Sequence, residues 1–242
     1  METLLLIVNL LFDFWIETDW YIALLLSVAV NIAVFIVTAS LLEALIETLV
    51  NKYRLCDYID NRPLRPKQRK FEIKNGIIAC IIFALGSLLS RELFTEIWPR
   101  SFLSLCYQVA AFSIFYETYS YFVHRLLHTP WFTSVHGVHH QSVRNTPWTA
   151  YSVHPIEATF IGMSAPIFMF LFPLSLGVAL ILHVMGMMFT IFLHSNFTLR
   201  PKNFLGKQLS FYPNYHSAHH LSGKVNFGFV ASLWDRLFKT TL

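Results

Sequence analysis

Charged residues are missing from long stretches of this chain, and those stretches define its organisation. Tyr21 to Leu42 holds no Asp, Glu, Lys or Arg over 22 residues. At about 1.5 Å per helical residue that length crosses a hydrocarbon core of about 30 Å. Asn75 to Ser90 is a second uncharged run of 16 residues, closed by Arg91 and the Pro99-Arg100 turn. A third, Ser101 to Tyr116, continues past Glu117 as far as Val123. Ala158 to Leu199 is again free of charge and too long for one span of about 20 residues. With Pro173 and Gly177 near its middle, it reads as two spans or a re-entrant hairpin. The pattern predicts an all-α, polytopic transmembrane bundle of about four to five spans, or a bundle with a re-entrant hairpin, capped by helices on one face.

Composition supports a lipid-facing surface. Of 242 residues, 55% are hydrophobic and 13% charged, against about a quarter charged in soluble domains. The net charge of +4 is concentrated rather than spread. Lys52, Arg54, Arg62, Arg65, Lys67, Arg69, Lys70 and Lys74 face only Asp57, Asp60 and Glu72 in one loop between apolar runs. Such a loop follows the positive-inside rule and is expected in the cytoplasm. Long apolar flanks argue against nucleic-acid binding. The acidic N-terminus, with Glu2, Asp13, Glu17 and Asp19, is expected outside, and it lacks the basic start of a cleaved signal peptide. Alternating the spans from there brings the segments near His124 and His194 to the cytoplasmic face. Cys56, Cys80 and Cys106 are odd in number and form no CxxC pair, so neither a disulfide framework nor a thiolate metal site is indicated. No solenoid repeat or low-complexity tract is present.

Eight of the eleven histidines stand in three tight clusters: His124-Arg-Leu-Leu-His128, His136-Gly-Val-His139-His140 and His216-Ser-Ala-His219-His220. Residues three and four apart share a helix face, so each cluster can present two or three imidazoles together. Neutral imidazole is a common ligand for iron, zinc and copper. One tetrahedral zinc takes three or four ligands, so eight or nine histidines imply two ions. The Glu-x-x-His pairs of carboxylate-bridged di-iron bundles are absent, so an imidazole-dominated coordination sphere is expected; the ligand type alone does not select the metal. A lone histidine on an apolar face is more often a hydrogen-bonded core residue, the reading given to His183.

The three clusters in this order, with His154-Pro155-Ile156-Glu157 and the closing Leu233-Trp234-Asp235-Arg236-Leu237-Phe238, resemble the fatty acid hydroxylase / sterol desaturase superfamily. The likeness runs from Ser101 to the C-terminus. It divides the chain into N-terminal helices with the basic loop (1–100) and a catalytic region (101–242) of one integrated domain. It implies a membrane-bound, non-haem di-iron oxidoreductase that uses O₂ to hydroxylate or desaturate a lipid. It also implies two iron ions, which zinc can replace on overexpression, and a separate electron donor: a cytochrome b5-like protein, a ferredoxin or a reductase. Carried over by position, His124, His128, His136, His139, His140, His216, His219 and His220 are the implied ligands. His194 is a ninth, although Ser195-Asn196 follows it where the family often has Asp-Gly. Glu117, Glu157 and Asp235 are candidates for holding the ligands, since metal-bound histidine usually donates its other ring N–H to a carboxylate or carbonyl, and His154 is either another such support or an additional ligand. The Asn196-Phe-Thr198 sequon is read as chance beside a cytoplasmic metal site.

No His-Pro-Gly-Gly haem element or GxGxxG flavin fingerprint occurs in the chain, in keeping with an external donor. A histidine-rich metal transporter or storage protein is the alternative, but it would spread its histidines along the spans. A bis-His haem carrier would not use HxxHH twice. Sterol, acyl-lipid and ether-lipid substrates stay open, as do hydroxylation against desaturation and endoplasmic reticulum against bacterial inner membrane.

Overall fold

The computed structural model describes residues 2–200 and 203–242. It is mostly helical: α1 (Glu2–Glu17), α2 (Trp20–Asn51), α3 (Gln68–Leu93), α4 (Phe102–Leu127), α5 (Thr133–His136), α6 (Pro155–Gly162), α7 (Ser164–Leu171), α8 (Leu176–Leu193), α9 (Phe204–Ser222) and α10 (Leu233–Leu237). Short 3₁₀ turns lie at His139–Gln141 and Pro147–Tyr151. Among the described residues, α2, α3 and α8 are long and apolar enough to cross a membrane. The apolar run 158–199 is broken as its Pro and Gly suggest. Two eight-residue helices, α6 and α7, precede a break before α8, and together they are shorter than a hydrocarbon core. Large apolar side chains on the outer face of α2, Leu25 and Leu41 among them, are exposed, the surface expected of a helix solvated by lipid.

Close helix contacts hold the bundle. Gly76 lets α3 lie against Phe35 of α2, since a Cβ there would stand 2.3 Å from the ring. A Cβ on Gly86 would meet the Gly162 carbonyl at 2.6 Å, so α3 and α6 touch through small residues. Phe35, Phe83, Trp148 and Tyr151 pack edge to face where α2, α3 and the second 3₁₀ turn meet. At one end of the bundle, the segment between α3 and α4 is tied to the start of α8 by Leu176 N to Glu96 O and Gly177 N to Ile97 O.

The opposite end carries the basic loop. There β1 (Cys56–Tyr58) pairs antiparallel with β2 (Phe197–Leu199), Cys56 facing Leu199 and Tyr58 facing Phe197. The ribbon fastens the chain leaving α2 to the chain leaving α8. The sequon residue Asn196 is buried, and its side chain accepts from Asp60 N and donates to Asp60 O. The C-terminal ends of α4 and α8 and the start of α3 all lie at this end, and the histidines gather there.

Candidate metal centre

Two groups of imidazoles form among the described residues. The first joins His124, His128, His136, His140 and His219; the second joins His139, His194, His216 and His220. Within each group one nitrogen per ring lies within 4.8 Å of all the others. Both groups are purely histidine. The two HxxHH segments interlock. Each contributes its outer pair, His136 with His140 or His216 with His220, to one group and its middle histidine to the other. On α9 the reason is helical: residues four apart share a face, whereas His219 and His220 diverge by about 100°. The first HxxHH achieves the same split from irregular chain, with His136 ending α5 and His139 starting a 3₁₀ turn.

The nitrogen spacing is that of a coordination shell. Nε2 of His128 lies 3.1 Å from Nε2 of His219, and Nε2 of His140 lies 3.1 Å from that of His136. In the second group the His194–His139, His216–His194 and His220–His216 pairs stand at 3.2, 2.8 and 3.2 Å. Ligand nitrogens bound at about 2.1 Å and at right angles around one ion would be about 3.0 Å apart. Ring orientation is set from behind. The Nδ1 atoms of His124, His194 and His219 reach the carbonyls of Phe227, Thr190 and Val225 at 2.9, 2.7 and 2.7 Å. A carbonyl only accepts, so each Nδ1 carries the proton and each Nε2 is a bare lone pair turned inward. His136 Nδ1 meets Glu157 Oε1 at 2.9 Å, the carboxylate–histidine arrangement that raises ligand basicity. Burial, reinforced by neighbouring imidazoles, pushes His140 and His194 down to about 4. Burial likewise holds His139, His216 and His220 far below the ordinary histidine range. Neutral rings with converging lone pairs suit a cation.

The supporting residues fall differently from their sequence spacing. Glu117 touches no histidine: its carboxylate accepts Val230 N and Ala231 N at 2.9 and 3.0 Å. It thus secures the C-terminal segment to α4. Asp235 acts one residue away from the groups. It accepts Phe227 N, Gly228 N, the Tyr215 hydroxyl and the Thr240 hydroxyl, and so fixes the Phe227 carbonyl that holds His124. His154 lies outside both groups and caps α6, accepting Ile156 N at 3.2 Å. His183 bonds Asn31 at 2.8 Å within the bundle. Sequence reasoning passed over Glu72, counting it only in the loop's charge. It is fully buried and accepts from Gln68, Ser142, Thr146 and Thr149, stitching the chain after His140 to α3. Set among Arg69, Lys70 and Lys74 at the start of α3, it carried no local signal that set it apart from the loop's other charges.

A cavity of about 90 Å³ lies against His124, His136, His139, His194 and His216. A larger chamber of about 590 Å³ adjoins it, walled by α3, α4, α6, α8 and the 229–234 segment. Tyr116, Tyr151, Ile161 and Phe229 line both. A helical bundle with membrane-length helices, two all-histidine groups at one end and a largely apolar chamber beside them has the architecture of an integral membrane protein whose histidines fit a metal site.

Residues 109–240, which include the nine histidines of the two groups, match the family model for fatty acid hydroxylase. This is over half of the chain, and the chain belongs to that family. It is 30% identical over 131 residues to the Delta(7)-sterol 5(6)-desaturase of Leptosphaeria maculans, covering 54% of this chain and 35% of that one. The Delta(7)-sterol 5(6)-desaturase of Eremothecium gossypii is 28% identical over 186 residues, with 70% and 50% covered. The lathosterol oxidase of Rattus norvegicus is 28% identical over 141 residues, with 58% and 46% covered. The aligned segments span about a third to a half of these relatives' length. No solved structure matches the chain.

Proposed function

We propose that this chain is an O₂-dependent oxidoreductase that hydroxylates or desaturates a C–H bond of a lipid. The two imidazole groups would each hold one iron, with electrons supplied by a separate donor protein. The observation that carries this reading is the pair of all-histidine shells opening onto an apolar cavity. Relatives described as sterol desaturases and lathosterol oxidases support it. Two irons, when bound, supply the oxidising power for an unactivated C–H bond, which side chains alone lack. The fit rests on the donor set: inward-facing bare Nε2 atoms about 3 Å apart, held by carbonyls and Glu157.

The chain's own part is positioning. His124, His128, His136, His140 and His219 would hold one ion, and His139, His194, His216 and His220 the other. Glu157 and the Phe227, Thr190 and Val225 carbonyls keep the rings oriented. Tyr116, Tyr151, Ile161 and Phe229 shape the passage along which a lipid carbon approaches, and their packing keeps bulk water from the histidines. The basic loop at the same end of the bundle supports an active site facing the cytoplasm, in the endoplasmic reticulum or a bacterial inner membrane.

Lipid extracts from cells producing the wild-type chain or His139→Ala test the reaction. A species gained by one oxygen or losing two hydrogens, present only with wild type, is expected. An unchanged lipid profile, or turnover retained in the variant, would refute it.

A further inference from the structure

His183 lies inside α8, one of the membrane-length helices, yet belongs to neither histidine group. An ionisable side chain within a span is costly and calls for a reason. Part of the reason is structural: its Nε2 meets Asn31 Oδ1 at 2.8 Å, joining α8 to α2. The hydrogen bonding also fixes the tautomer. Asn31 Nδ2 donates to the Ser27 carbonyl at 2.8 Å, and a carbonyl accepts only, so the amide oxygen faces His183. An amide oxygen accepts in turn, so Nε2 carries the proton and Nδ1 is a bare acceptor. Helix clamping accounts for Nε2 and leaves Nδ1 without a task.

The ring is only partly buried, and it lines the 590 Å³ chamber that leads to the metal centre. Along α8 the stripe His183, Met187, Thr190, His194 steps by four, three and four residues, hence along one face. Met187 lines the large chamber, while Thr190 and His194 line the small cavity. His183 therefore stands at the far end of a continuous wall, about 16 Å along the helix axis from His194. The hydroxyls around the chamber, such as Ser113 and Tyr116, can donate or accept and so tolerate either kind of guest. A bare imidazole nitrogen only accepts, and it rewards a guest that brings a donor.

We propose that His183 is a specificity-determining residue whose Nδ1 accepts a hydrogen bond from the hydroxyl of a lipid alcohol lying in this chamber. The inference rests on the proposed lipid oxidation and narrows its substrate to a lipid with a free hydroxyl. That hydroxyl sits about three turns of α8 from the metal centre, and the carbon presented there is remote from it. An ether or ester of the same lipid would leave the acceptor desolvated and unpaired.

The test is direct binding to purified full-length protein in nanodiscs, using two matched pairs: a free sterol with its methyl ether, and a long-chain primary alcohol with its methyl ether. Wild type should bind the alcohol of at least one pair roughly tenfold more tightly, the scale of one buried hydrogen bond. His183→Phe should bring that ratio to within about twofold. His183→Gln should restore it, since its amide can donate to Asn31 and accept from the ligand. A purely structural role would instead weaken alcohol and ether equally and lower thermal stability. No preference in wild type for either pair would overturn the proposal, as would a preference retained in His183→Phe. His139→Ala, which tests the oxidation itself, should keep the alcohol preference, so the two readings fail separately.

Discussion

Glu72 is the most informative perturbation outside the histidines. Its carboxylate is fully buried and receives Gln68 Nε2, Ser142 Oγ and Thr146 Oγ1 at 2.8 Å and Thr149 Oγ1 at 2.9 Å. Three of those donors lie within the 142–149 segment that follows His140, so the interaction fixes the chain carrying the first HxxHH. A hydrogen bond to a charged group contributes about 1.5–3 kcal/mol, and a donor left buried without a partner costs about 1–3 kcal/mol. Glu72→Ala strands up to four donors. Water entering the vacated space and pairing between Thr146 and Thr149 would recover part, leaving a loss of about 3–5 kcal/mol. For a chain of this size that corresponds to a fall in Tm of about 10 °C. Glu72→Gln keeps an oxygen for three donors and turns an amide toward Thr146, so it should cost only about 1 kcal/mol. Thermal unfolding in detergent, followed by size-exclusion fluorescence with metal analysis of the same samples, reads both effects. The expected order is wild type, Gln, then Ala, in stability and in metal retained. An Ala variant with wild-type Tm and metal content would refute the reasoning.

Three further outcomes follow. Asp235→Asn turns a donor toward the Phe227 or Gly228 amide and should lower both stability and metal occupancy of the five-histidine group, measured by thermal unfolding and metal analysis. His154→Ala should cost only about 1 kcal/mol for the lost cap and leave metal content unchanged; loss of an ion would make His154 a ligand. Metal-free protein should lose stability as pH falls from 6.5 toward about 4, because His140 and His194 take up protons in the unfolded chain before the buried rings do. Thermal unfolding across that window checks the sign, and a Tm that stays level or rises on acidification contradicts it.

The histidine clusters were legible because their information is local: the rings four residues apart, His124 with His128, His136 with His140 and His216 with His220, each fall in one group. Their division between two groups was not, since it depends on how α9 and the irregular chain at His136–His140 face each other. Glu117 shows the limit of face arguments. Two helical turns before His124, it shares that helix face, yet its carboxylate meets the 230–231 amides, and His124 turns to the Phe227 carbonyl. Both partners lie more than a hundred residues away in sequence. Glu72 was hidden for the same reason, its hydroxyl donors coming from 70 to 77 residues downstream. The apolar runs located α2, α3, α4 and α8, but composition did not reveal that α6 and α7 would be two short helices. The division falls just after Gly162, where α6 lies close against α3.

Metal stoichiometry of purified protein, reconstituted anaerobically with ferrous iron, bears most directly on the whole account. Two irons per chain are expected, without a haem absorption band, and His139→Ala should retain only the ion of the five-histidine group. Binding of no iron, or of a single ion unaffected by that substitution, would contradict the assignment of two histidine shells to two metals.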